Sequence, residues 1–385
     1  MKKWLMNGFV LLLIFMLLVG CADNGTNKKE GGMPELVVGA TYGLTGPVAI
    51  YSETVVNAIK LVKEDIKNSG KLKMNVILED DRSDKNEAIN LYQKFIDRDK
   101  SDIIIGPLIG NQVFAATPIA QDAKIPVMLT TVATPGVTDI GDFVFRTSGE
   151  SPHFIPKAVK AAVEHFNVKK VAVIHAKDDE FAIGEYKAFK SSFEKEGVKI
   201  VDDEVYLTGD IDFSSQLTKI KASSPDIIAI AAQAEEVVAI TTQARQLGID
   251  VSFIGGNAFN ASNTLKEAGS AMEGSISATP WFIEMETEEN KQFVEKYRNK
   301  FGKDPDWLSA QTYDALQIIA KAYLEAGITS KDNINERRIK LRDAIAKIKE
   351  YKGVLGTFGF TKNGDPTVSG TVIIVKDGKH MLFKP

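Results

Sequence analysis

From Glu35 onward the chain alternates short runs rich in Val and Ile with longer amphipathic segments, and this alternation restricts the fold more than any other feature. The runs are ELVVGAT (35–41), KMNVILED (73–80), DIIIGP (102–107), PVMLTT (126–131), KVAVIHA (170–176), DIIAIAA (226–232) and SFIGG (252–256). Between them, NAIKLVKEDIKNS, GEYKAFKSSFEKE and EEVVAITTQARQLG space apolar residues three and four apart, as helices with one buried face do. Strands apolar on both faces need cover on both faces. The pattern therefore predicts an α/β protein with doubly wound parallel sheets and helices on each side.

The pattern also occurs twice. KSDIIIGPLIGNQVFAATPIAQDAKIPVML parallels SPDIIAIAAQAEEVVAITTQARQLGIDVSFIG, with Asp102 and Asp226 at equivalent points 124 residues apart. Two such units suggest two lobes of like topology. Ligands bind beyond the carboxyl ends of strands in open parallel sheets, so two facing lobes would surround one cleft.

With 385 residues, 44% of them hydrophobic, the chain can bury a substantial core and fill two domains. A net charge of −4 and no basic block beyond the extreme N-terminus argue against a nucleic-acid partner. That N-terminus reads as a processing signal over residues 1–20: Met1-Lys2-Lys3 supplies positive charge, and Phe9 to Val19 is apolar but too short for a confident membrane span. LVGC (18–21) resembles the bacterial lipobox, which makes Cys21 a lipidation site. Cys21 is the one cysteine in the chain, so no disulfide framework is possible. Residues 21–34, which include ADNGTNKKEGG, read as a flexible tether behind the lipidated cysteine. The expectation is an extracytoplasmic protein held to the bacterial cell membrane by lipid alone, where enzymes that use cytosolic nucleotides have no place.

Reactive constellations are scarce. His153, His165, His175 and His380 stand in no metal-ligand spacing. GATYGLTGP (39–47) matches neither G-x-G-x-x-G nor a phosphate loop, and EDDRSD (79–84) lacks the ligand spacing of a calcium hand and reads as a solvated turn. His175 ends KVAVIHA as a polar strand terminus. What remains is hydroxyls, amides, aromatics and backbone at strand ends, above all LTTVATPG (129–136). Unaided, such groups activate no nucleophile. They do hold small polar molecules, since hydroxyls and helix N-terminal N–H groups bind a carboxylate without a formal counter-charge.

Several stretches carry a family likeness in a shared order: GLTGPVAIYSE (43–53), GPLIGNQVFAATPIAQDAKIPVM (106–128), FVFRTSGESP (143–152), DFSSQLTKIKASSPDII (212–228), QARQLGI (243–249) and AQTYDALQ (310–317). With them the chain resembles the solute-binding lipoproteins of ABC importers, specifically the branched-chain amino-acid (Leu/Ile/Val) branch with the type I periplasmic-binding-protein fold. The resemblance implies two lobes joined by a three-crossover hinge: 36–147 with 278–367, and 148–277 with 368–385. It also implies a non-enzymatic, monomeric protein without cofactor or metal, whose partners are a small solute and an ABC permease.

The pocket implied by the resemblance is drawn from both lobes. Tyr51 supplies an aromatic; Gly110 or Asn111 stands where the family offers a serine; and either Thr134, or Thr131 with Ala133, holds the ligand's carboxylate and ammonium. Phe181 and Gln233 fall at the family's aromatic positions on the second lobe. Asn257 falls where the amino-acid binders carry an acid that pairs with the ligand's ammonium. Either Glu235, Asp178 or Asp179 reaches the cleft instead, or the ligand lacks a cationic amine. The expected ligand is an amino acid of the branched-chain class; an aromatic or aliphatic carboxylate, or an amide, is the alternative, as is a sensor role for a regulatory partner.

Overall fold

The computed structural model describes residues 33–384 apart from Pro47 and Ser262. The signal segment, Cys21 and the tether up to Gly32 lie outside the described residues. Residues 35–146 build one sheet from β1 (Glu35–Tyr42), β2 (Lys73–Asp80), β3 (Ile103–Ile105), β4 (Val127–Leu129) and β5 (Val144–Arg146), in the order β2-β1-β3-β4-β5 and all parallel. Helices α1 (Ala49–Ser69), α2 (Lys85–Asp97) and α3 (Gly110–Asp122) connect them. In β1, Leu36, Val38, Ala40 and Tyr42 alternate into one core shared with α1, while α2 and α3 cover the opposite face through Phe95, Val113 and Ala116. A Cβ on Gly39 would sit 2.6 Å from the Phe95 ring, so this close helix-to-strand approach needs glycine.

In the EDDRSD turn the carboxylates are engaged locally: Asp80 accepts from Leu44 N and Arg82 N at 2.8 Å each, and Asp81 from Thr41 Oγ1 and Ser83 N at 2.9 Å. The turn is solvated at Arg82 and Asp84 but not at Asp81, which is fully buried.

The second sheet follows with α4 (Ser151–Phe166), β6 (Lys170–Ala176), α5 (Glu180–Lys195), β7 (Lys199–Tyr206), α6 (Ser214–Ser223), β8 (Ile227–Ala231), α7 (Ala234–Gln246), β9 (Ser252–Gly255), α8 (Thr264–Ala268) and β10 (Ile276–Thr279). Its opening order β7-β6-β8-β9 matches β2-β1-β3-β4. The repeat in the sequence thus corresponds to a repeat in topology, pinned by the same device. Asp102 accepts from Val37 N at the start of β1, and Asp226 from Lys170 N at the start of β6, both at 2.8 Å.

The chain then returns to the first lobe as α9 (Glu288–Phe301), α10 (Trp307–Glu325), α11 (Ile334–Ala346) and the hairpin β11 (Tyr351–Gly353) and β12 (Gly356–Phe358), which pack on the β1 core. It ends in the second sheet as β13 (Thr371–Lys376), antiparallel to β10, and β14 (Lys379–Leu382). Three passages therefore join the lobes: β5 to α4, β10 to α9, and β12 to β13. Arg146, fully buried, ties the first to the third: Nη2 donates to Glu150 Oε1 at 2.5 Å and Nε to Asp365 Oδ1 at 2.6 Å.

All seven expected runs are strands, but DIIIGP and PVMLTT shrink to three residues each. β5, β7, β10 and the last four strands were not among them. β7 (KIVDDEVY) lies at the edge of the sheet with one face open, so its acids mask the apolar run.

Candidate functional site

Both sheets end on one crevice of about 460 Å³. The first lobe lines it with Val48 and Tyr51 at the start of α1, Leu108 to Asn111 at the start of α3, Thr131 to Thr134 after β4, and Trp307 and Leu308 at the start of α10; the second lobe adds the loops after β6, β7, β8 and β9. All nine residues expected at a ligand site, namely Tyr51, Gly110, Asn111, Thr131, Ala133, Thr134, Phe181, Gln233 and Asn257, line this crevice.

The LTTVATPG stretch divides its labour. β4 ends at Leu129, and the hydroxyl of Thr130 is taken by Tyr42 Oη at 2.7 Å, outside the crevice. Thr131 Oγ1 is buried with no protein partner. Thr134 lies against Gly110: a Cβ on that glycine would come within 2.5 Å of Thr134 Oγ1, so position 110 has no room for a side chain. The loop is braced from behind, where Arg146 Nη1 donates to Thr134 O at 2.8 Å and Ser148 Oγ to Val132 O at 2.5 Å. No side chain caps the N-terminus of α3. Unsatisfied N–H groups and the positive end of a helix beside free hydroxyls make this wall of the crevice suited to an anion.

The opposite wall is acidic. Asp178, Asp179, Glu180, Glu235 and Glu236 line it, and among the described residues the crevice has no Lys, Arg or His. Asp178 accepts from Thr208 N at 2.9 Å and Thr208 Oγ1 at 3.0 Å, and the Thr208 backbone bond holds its carboxyl below the usual range. Asp179 caps α5, accepting from Phe181 N at 2.7 Å, and its other oxygen accepts from Gln233 Nε2 at 2.8 Å. Gln233 is thereby committed at its amide nitrogen. Tyr51 reaches from the first lobe toward α7: burial first, then Glu235 and Glu236, push its hydroxyl upward, against the Ala234 backbone N–H. Asn257 is 2% exposed, and its Nδ2 has no protein partner.

His175 lies apart from the crevice, its ring stacked at 3.8 Å on Tyr186. The sequence reading missed Glu236, Trp307, Leu308 and Thr208. Trp307 opens a helix marked in sequence by the Asp306/Ser309 capping box, but only the return of the chain to the first lobe brings it to the cleft.

The sequence matches the profile of the periplasmic binding protein family over residues 35–379. The chain belongs to the periplasmic binding proteins. Within the family it is 25% identical, over 84% of its own length and 84% of the relative's, to a leucine-, isoleucine-, valine-, threonine- and alanine-binding protein of Pseudomonas aeruginosa. Among solved structures, the leucine-binding protein LivK of Thermotoga maritima superposes with a TM-score of 0.83 at 28% identity, covering 91% of this chain and 98% of that one. LivJ of Streptococcus pneumoniae, solved with isoleucine, gives a TM-score of 0.80 at 25% identity, covering 91% and 100%. This periplasmic binding protein is thus a type I fold with two parallel-sheet lobes, of the kind that serves ABC importers as solute-binding component.

Proposed function

We propose that this chain is the lipid-anchored, extracytoplasmic receptor of an ABC importer and that it binds an amino acid of the branched-chain class in the inter-lobe crevice. The observation that carries the reading is the polarity of that crevice: an anion-binding wall of hydroxyls and helix N–H groups on the first lobe faces acids on the second, with apolar Val48, Leu108, Trp307 and Leu308 beside them. A carboxylate, an ammonium and an aliphatic side chain each have a counterpart there. The ligands named for the P. aeruginosa and S. pneumoniae relatives have this chemistry.

In the working cycle, the open form captures solute on the first lobe, and the second lobe closes over it about the three passages. Ligand favours closure only to the extent that it binds the closed form better. Residues 36–147 with 278–367 move against 148–277 with 368–385, and the closed monomer docks on the permease. Lipid on Cys21 and the tether to residue 34 keep the protein near its partner.

A thermal-shift screen tests the ligand. Leucine, isoleucine or valine should raise the melting temperature, by about 2.7 kcal/mol of added stability at a ligand concentration 100 times Kd. The neutral amide at Asn257 favours a second reading, in which the ligand is a carboxylate or amide without an amine. Shifts with 2-oxo or aromatic acids but none with leucine would establish that reading instead and leave the transport role in place.

A further inference from the structure

Four buried side-chain atoms of the crevice lining lack a hydrogen-bond partner in the protein: Thr131 Oγ1, Asn257 Nδ2, Trp307 Nε1 and Glu236 Oε2. Buried polar atoms are ordinarily paired, so orphans gathered on one crevice mark a partner that the protein itself does not supply. Three of the four can donate, and a carboxylate or carbonyl on the ligand answers them. The fourth is a carboxyl oxygen that, once ionised, only accepts, and what answers it then is an N–H group.

Glu236 stands apart from the other acids of that wall. It is 8% exposed, at the third position of α7, and its other oxygen accepts from Gly209 N at a long 3.4 Å, while its own backbone N–H also lies within reach of the carboxylate. Asp179 spends both oxygens, on the first turn of α5 and on Gln233, whereas Asp178 is exposed and already accepts two bonds from Thr208 at Oδ1. Glu235 and Glu180 are exposed, where water competes for their charge. The hydroxyl of Tyr206, likewise buried and unpaired, lies in the field of Glu236, Asp179, Glu185 and Asp178, so the negative charge is concentrated beneath this wall.

We infer that Glu236 is the partner of the ligand's ammonium and the residue by which the crevice selects amino acids over carboxylates of the same shape. The inference rests on the amino-acid reading given above. A carboxylate without an amine would satisfy the donors but leave Oε2 unanswered and bring like charge toward five acids. A zwitterion satisfies both sets. The bond to Glu236 is charge-assisted, about twice as strong as a neutral one. Burial holds the Glu236 carboxyl above its ordinary range, and an ammonium beside it restores the ionised form.

Isothermal titration with L-leucine and 4-methyl-2-oxopentanoate, which replaces the amine with a keto oxygen, tests the assignment on the purified protein. Wild type should prefer leucine, and Glu236→Gln should weaken leucine by at least about tenfold while leaving the oxo acid within about threefold. Glu236→Asp keeps the charge and should retain part of the preference, which separates loss of charge from loss of fold. An unchanged preference in Glu236→Gln, or its collapse in Glu235→Gln alone, overturns the assignment while amino-acid binding stands. A wild-type protein that prefers the oxo acid overturns the amino-acid reading and this assignment with it.

Discussion

At the residue scale, neighbouring threonines in one loop have opposite work. Thr130 gives its hydroxyl to the buried Tyr42 Oη, whereas Thr131 keeps its own unpaired at the crevice. Thr130→Val should therefore destabilise the fold by about 1–3 kcal/mol, because it strands a buried hydroxyl. Thr131→Val should leave the denaturation midpoint near wild type and weaken ligand by about 0.5–1.5 kcal/mol, roughly the net worth of one hydrogen bond. Urea denaturation and titration of both variants separate the two roles; equal effects on both measurements would refute the division. The row of hydroxyls was legible as a candidate recognition edge. Which hydroxyl faces the crevice was not, because that depends on the Tyr42 side chain arriving from another strand.

At the element scale, the hairpin of β11 and β12 hangs on α10 through one acid. Asp314 is fully buried and accepts from Val354 N at 2.9 Å and Leu355 N at 2.8 Å. Burial outweighs those bonds and pushes its carboxyl up to about 7. An unfolded chain releases this proton near the ordinary value of 3.8, so between there and about 7 the folded chain holds a proton that the unfolded one has lost. Stability from this group is complete below the lower value and is lost as pH rises through the upper one. The melting temperature of wild type relative to Asp314→Asn should fall between about pH 4 and about pH 8, and a constant difference would contradict it. AQTYDALQ identified this helix as a family segment; nothing in it announced a buried acid, since its partners lie about 40 residues on.

At the scale of the whole molecule, Arg146 is the point where the crevice loop 131–134 and two of the passages between lobes meet. Its guanidinium holds the Thr134 carbonyl, Glu150 in the first passage and Asp365 in the third. Glu150 Oε1 also accepts from Gly136 N at 3.1 Å, which closes the bracing on the same loop. Removing one partner of a buried ion pair costs about 3–5 kcal/mol, since the remaining charges stay buried. Arg146→Met should lower unfolding free energy by that amount, and adding Glu150→Gln with Asp365→Asn should recover most of it. Failure of the triple variant to recover would show that shape rather than charge matters at this position. FVFRTSGESP resembles the family across this stretch, yet the role of its arginine depends on residues 4 and 219 positions away.

The order of apolar runs and amphipathic segments was enough to specify two parallel-sheet lobes of matching topology, because periodicity and burial are local properties of the chain. The same reading placed strand-end residues at the crevice and marked residue 257 as a neutral amide. Tertiary structure alone decided which polar atoms stay unpaired, which acids are already spent on backbone N–H groups, and that Glu236 and Trp307 line the cleft while Arg146 braces it from behind. Those facts depend on partners brought together by three passages between lobes, and a one-dimensional pattern carries no record of which donors a fold will leave unanswered.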